Sequence, residues 1–252
     1  MGVENRTSVT SELFMQMTDI EYKHGSDVLE GFLAFDETKG DRRPGILLFP
    51  EWYGVAEHAK ARAKMLAELG YVAFAADMYG KGIRPAQFDD CSREAGKYQR
   101  DRQLMRGRGR AGLDVLRSLS QVNPNKLAGI GYCVGGTLVL ELARDGADLS
   151  GIVTFHAALN TPRPEDAKNI KGKVLVLHGA DDALVPDAEV LAFEKEMRDA
   201  KVDWQLVSYG NTVHSFTNWD LDSDHSKPAA YNEKSDARSW AAMRAFFEEI
   251  FA

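Results

Sequence analysis

The chain has 252 residues, 44% of them hydrophobic and 27% charged, and its formal net charge is −7. An acidic chain argues against a nucleic-acid partner, which needs a basic face. No apolar run approaches the ~20 residues that cross a bilayer, and two cysteines, Cys91 and Cys133, do not make a disulfide framework. These features imply a cytoplasmic protein with no nucleic-acid and no membrane partner, working as a monomer or small homo-oligomer.

Residues 1–16 lack the basic-then-apolar pattern of a signal peptide and read as a mobile tail ahead of a single domain over 17–252. "IEYKHG" and "VLEGFLAFD" read as a pair of strands around His24-Gly25-Ser26. "GILLFP" (Gly45–Pro50) is a short apolar run of buried-strand type, "EHAKARAKMLAELG" a helix ended by Gly70, and "YVAFAAD" the next strand. Gly80, Gly82 and Pro85 break the pattern, so residues 78–100 read as irregular. A helix follows through Leu119. Its Arg102, Arg106 and Arg110 share one face, which in an acidic chain reads as solvated or ion-paired rather than as a polyanion site.

Next come a strand Lys126–Gly131, a helix Val134–Arg144, strands "GIVTFH" and "KVLVLHG", a helix Asp187–Ala200, strand "WQLVSY", and a helix from about Ala229 to Ile250. Strand and helix alternate almost throughout. That predicts an α/β fold, a mostly parallel central sheet with helices on both faces, whose site forms at the carboxyl ends of strands.

The most informative stretch is "GIGYCVGG", between a strand and a helix. A dinucleotide fingerprint would need a third glycine at position 134, which is Val134. Gly131-Tyr132-Cys133-Val134-Gly135 instead matches the nucleophile elbow G-x-S-x-G with cysteine in place of serine. The following helix N-terminus favours a thiolate and a developing oxyanion, with the Val134 amide as one donor. The competing reading of Cys133 is a buried thiol packed as a small hydrophobe.

Two further residues shift the balance toward chemistry. Asp182 follows "KVLVLHG" and precedes Val185-Pro186 by three residues, and His214 follows "WQLVSY". Alone, each reads as an ordinary turn or loop residue. Together, Cys133, Asp182 and His214 have the nucleophile, acid and base order of α/β-hydrolases, each just past a strand.

From about Tyr22 onward the chain resembles the dienelactone hydrolase family of α/β-hydrolases. "FPEWYGV", "AADMYGKG", "GYCVGG" and "HGADDALVP" with "VHSF" carry the resemblance. It implies a hydrolase without cofactor or metal, acting on a small-molecule ester or lactone through a Cys–His–Asp triad and a thioacyl-enzyme. It also implies that Glu51 contacts the nucleophile thiol and that the Trp52 amide is the second oxyanion donor. Family members acting on dienelactones hold the substrate carboxylate with two arginines, at positions occupied here by Lys81 and Asn218. Tyr53, Tyr79, Phe216 and Trp219 flank these motifs and serve either an aromatic substrate pocket or plain packing. Two other uses of the triad stay open: another electrophile such as an activated phosphotriester, or a degenerate hydrolase fold acting as a thiol sensor or binding protein.

Overall fold

The computed structural model describes residues 14–252. Eight strands form one sheet in the order β1-β2-β4-β3-β5-β6-β7-β8. β1 (Met15–His24) and β2 (Asp27–Asp36) form an antiparallel hairpin, with Gly25 at φ +61° in the turn, and β2 pairs antiparallel with β4 (Val72–Ala75). The rest is parallel: β4, β3 (Arg43–Phe49), β5 (Val122–Tyr132), β6 (Gly151–Phe155), β7 (Lys173–Gly179) and β8 (Trp204–Tyr209).

The helices are α1 (Glu57–Glu68), α2 (Phe88–Arg100), α3 (Arg102–Ser118), α4 (Val134–Arg144), α5 (Asp187–Ala200) and α6 (Glu233–Ile250). A strand sends alternate side chains to opposite faces, and a parallel sheet buries both. Ile46 and Leu48 of β3, with Leu175 and Leu177 of β7, meet α1 and α6 through Leu66, Met243 and Phe247. Leu47 and Phe49, with Val174 and Val176, face α3, α4 and α5 through Leu113, Leu138 and Phe193. Helices therefore cover both faces, as the alternation predicts.

Three expectations need correction. The tail assigned to 1–16 falls on residues 1–13 outside the described range, but Met15 and Gln16 belong to β1. The segment read as irregular contains α2, whose Cys91, Glu94, Ala95 and Tyr98 form a buried face at helical spacing. The last helix starts at Glu233 because the Asn232 side chain caps it, accepting from the Ser235 amide at 3.1 Å.

Two of the three arginines on the α3 face are ion-paired. Arg106 is buried, donating through Nε to Glu141 at 2.9 Å and through Nη1 to Asp166 at 2.7 Å. Arg110 reaches Asp145, and Arg102 reaches Asn160. Arg144 extends this network in the dry space between α4 and α5: it meets Glu141 at 3.0 Å, Glu196 at 2.7 Å and the Leu159 carbonyl at 2.8 Å. Deleting one member of such a network strands the other charges. Arg144→Met is therefore expected to lower the unfolding free energy by about 3–5 kcal/mol in urea. A loss under about 1 kcal/mol would mean that Glu141 and Glu196 find water instead.

Candidate active site

The carboxyl edge of the parallel sheet collects Glu51 after β3, Cys133 after β5, His156 after β6, Asp182 after β7 and His214 after β8. Cys133 links β5 directly to α4 at φ +52°, ψ −122°. A non-glycine residue rarely holds that conformation, and such strain persists only where the surroundings fix it. Those surroundings are glycines. A Cβ on Gly131 would lie 2.1 Å from the Gly135 carbonyl oxygen, and one on Gly135 would lie 2.3 Å from that of Pro50. Small residues two before and two after the cysteine are thus a steric requirement. The thiol is half-buried at the start of α4, whose dipole favours negative charge there.

The structure brings the three residues in question together. Cys133 Sγ lies 3.2 Å from His214 Nε2, and His214 Nδ1 lies 2.7 Å from Asp182 Oδ2. Asp182 is buried and its other oxygen accepts the Leu184 amide at 2.9 Å, whereas Asp181 is exposed. Burial works against protonation of His214, but the Cys133 sulfur and the Asp182 carboxylate outweigh it and push the ring up to about 10. A protonated imidazole thus faces the sulfur. Val134 opens α4, where a helix leaves its first amides free. The Trp52 amide makes no hydrogen bond among the described residues.

Glu51 makes no hydrogen bond to the thiol among the described residues. Its hydrogen bond comes from Asn218 Nδ2 at 2.8 Å, while the partner of the thiol is His214. Its other oxygen has no hydrogen-bond partner and lies 3.5 Å from His156 Nε2. Burial pushes Glu51 up to about 7, partly offset by Asn218 and His214.

His156 escapes the motif reading. It sits at φ +40°, fully buried, 2.8 Å from Thr217 Oγ1 and with its ring edge-on to His214 at 5.2 Å. Burial, with His214 and His58 nearby, holds it well below the usual histidine range, so it is neutral. Its Nδ1 has no partner, so the proton belongs on Nε2, where it is donated to Thr217. The Thr217 carbonyl accepts from Arg62 Nη2 at 2.9 Å, and Arg62 also holds Asp236 at 2.6 Å and stacks 4.4 Å from Trp219. The loop carrying His214 is thus fastened from both sides at Thr217.

The expected substrate contacts divide. Tyr53 and Asn218 line a cavity of about 360 Å³ that includes Glu51 in its wall, while Cys133, His214 and Asp182 lie outside its lining. Asn218 is nevertheless committed at both ends, its oxygen accepting the Asp220 amide at 3.0 Å. Lys81 is exposed and paired with Glu21 and Glu30, outside the cavity lining. Phe216 is fully buried against His156 and Tyr209, and Trp219 covers Arg62 and His58. Tyr79 is buried and donates to the Trp52 carbonyl at 3.0 Å, which steadies that loop. Among the described residues, no three His, Cys, Asp or Glu side chains are grouped to hold a metal ion.

The buried carboxyl makes stability depend on pH. Glu51 takes up its proton more readily when folded than when unfolded, where glutamate titrates near 4.5. Stability is therefore lost as pH rises between those two values, and the deficit is complete above about 7. Glu51→Gln removes the deficit. The variant is expected to match wild type near pH 4 and to exceed it by up to about 3 kcal/mol near pH 8. A melting-temperature gap that stays constant across that range would refute the raised titration.

The family model described as the dienelactone hydrolase family matches residues 29–251. Among solved structures, one titled "m3DLH" is 44% identical at a TM-score of 0.91, covering 95% of this chain and 100% of that one. A dienelactone hydrolase-like promiscuous phosphotriesterase from metagenomic libraries is 43% identical at a TM-score of 0.88, covering 94% and 98%. Protein usf of Aquifex pyrophilus is 26% identical over 240 residues, 91% of this chain and 97% of its own. With the model match spanning nearly all of the described residues and the same fold in these structures, the chain belongs to the dienelactone hydrolase family.

Proposed function

We propose that the protein hydrolyses activated carboxylic esters or lactones through a thioacyl-enzyme on Cys133. Membership of a hydrolase family supports the reaction class. The line Cys133 Sγ, His214 Nε2, His214 Nδ1, Asp182 Oδ2 carries the assignment of roles. The Cys133 thiolate attacks the carbonyl carbon, and the oxygen that gains charge is held by the Val134 and Trp52 amides. The protonated His214 gives its Nε2 proton to the departing alkoxide. Water then attacks the thioester, His214 takes a proton back, and the acid leaves as the thiolate re-forms. Asp182 keeps Nδ1–H fixed and stabilises the charged ring. Thioester intermediates call for activated acyl groups rather than amides.

A second electrophile has an observation in its favour. A solved structure 43% identical to this chain is titled a promiscuous phosphotriesterase. The same thiolate can attack phosphorus, with the same two amides facing the phosphoryl oxygen.

Cys133→Ala is expected to abolish turnover of p-nitrophenyl esters, lactones and neutral phosphotriesters alike. Iodoacetamide should inactivate wild type and Cys91→Ser equally, since Cys91 is buried on the inner face of α2. Esterase activity surviving in Cys133→Ala would end the proposal, and the absence of any turnover in wild type would favour a thiol sensor. Asp182→Asn should lower kcat by about 2–4 orders of magnitude. Asp181→Asn should change it little, and the reverse ranking would reassign the acid.

A further inference from the structure

We propose that the cavity beside Glu51 selects substrates by charge, admitting a neutral or cationic substituent and turning away an anionic one. The inference names a substrate class for the ester-hydrolase site and rests on that reading. At about 360 Å³ the cavity is large enough for a small substituent. Its walls are mainly apolar, with Pro50, Tyr53, Ala59, Pro85 and Leu221. Glu51 closes the inner end, and its Oε1 is buried without a hydrogen-bond partner. Glu57 and Asp220 stand exposed at the rim, and neither forms an ion pair among the described residues.

His214 and Arg62 act on Glu51 from behind the cavity wall, and the cations nearer the cavity are engaged elsewhere. Arg84 lines the cavity, and each of its nitrogens donates to backbone: Nε to Val55 at 3.0 Å, Nη1 to Ile83 at 2.9 Å and Nη2 to Glu30 at 3.0 Å. Its charge lies between Asp77 at 3.7 Å and Glu30 at 3.9 Å. Lys81 is turned to Glu21 and Glu30, and Arg62 to Thr217 and Asp236. Burial and the Arg62 charge hold His58 at about 4, so it adds no positive charge. The Asn218 amide, which could have met a substrate carboxylate, is bonded to Glu51.

One feature favours an anion. The first turn of α1 opens on the cavity, and Ala56 supplies no side-chain cap. Glu57 stands in that same turn, so its carboxylate already complements the positive end of the helix. The balance at the cavity is therefore negative, a field that repels an anionic tail and gathers a cationic one.

Two series test this. The first uses p-nitrophenyl esters of equal acyl length ending in methyl, carboxylate or trimethylammonium. The anionic ester is expected to have a kcat/KM about 3–10-fold below the neutral one at low ionic strength. The gap should close at about 0.5 M salt, where screening is nearly complete. The double variant Glu57→Gln/Asp220→Asn should narrow it at low salt.

The second series needs no hydrolysis. Alkanethiosulfonates with neutral, anionic and cationic tails transfer their alkylthio group to Cys133 and release sulfinate. Their rates, in a Cys91→Ser background and relative to mercaptoethanol, should follow the same order. Equal relative rates, or faster reaction of the anionic reagent, would overturn the charge selection. Absence of turnover on every ester, with the thiosulfonate order intact, would overturn the hydrolase reading and leave the charge selection standing.

Discussion

The contact on which the rest of the site depends is between two stretches of backbone. Gly135, in the first turn of α4, lies so close to the loop after β3 that a methyl group there would sit 2.3–2.4 Å from the Pro50 and Phe49 carbonyl oxygens. This closeness sets Cys133, the start of α4 and the Trp52 amide in one small space. The proposed oxyanion donors come from these two segments. Their spacing is therefore fixed by packing, without dependence on a flexible side chain.

Around that contact the protein buries several ionisable groups and keeps most of them satisfied. His214 lies between a sulfur and a carboxylate that together overcome the cost of its burial. His156 and His58 are kept neutral, so the positive charge at the site is confined to His214 and to the stacked, ion-paired Arg62. Glu51 has one oxygen unsatisfied and a titration near neutrality, and His156 Nδ1 is also without a partner. Incomplete satisfaction of this kind occurs where function competes with stability.

The second half of the fold was legible because each strand is a short apolar run and the punctuation is local. Helices α4 and α5 and strands β7 and β8 lie where the periodicity puts them. Helix α2 was hidden because its buried face includes Glu94 and Cys91 among many charged residues. At the site, Cys133, Asp182 and His214 could be found because each follows a strand that the pattern marks. His156 carried the same signal, ending "GIVTFH" directly after the strand, but it matches no motif. Arg62 carried no signal, since Thr217 and Asp236 lie 155 and 174 residues away. The position of Lys81 was also out of reach of the pattern, which aligns it with a substrate ligand while its ammonium turns outward to Glu21.

The way the His214 loop is fastened ties the site to the end of the chain. The Ala230 amide bonds the His214 carbonyl at 3.1 Å, the Asn232 amide bonds that of Phe216 at 3.1 Å, and Asp236 on α6 holds Arg62. Detachment of the C-terminal helix and displacement of the histidine are thus a single local opening. These bonds couple α6 to the histidine although the helix lies outside the reaction centre.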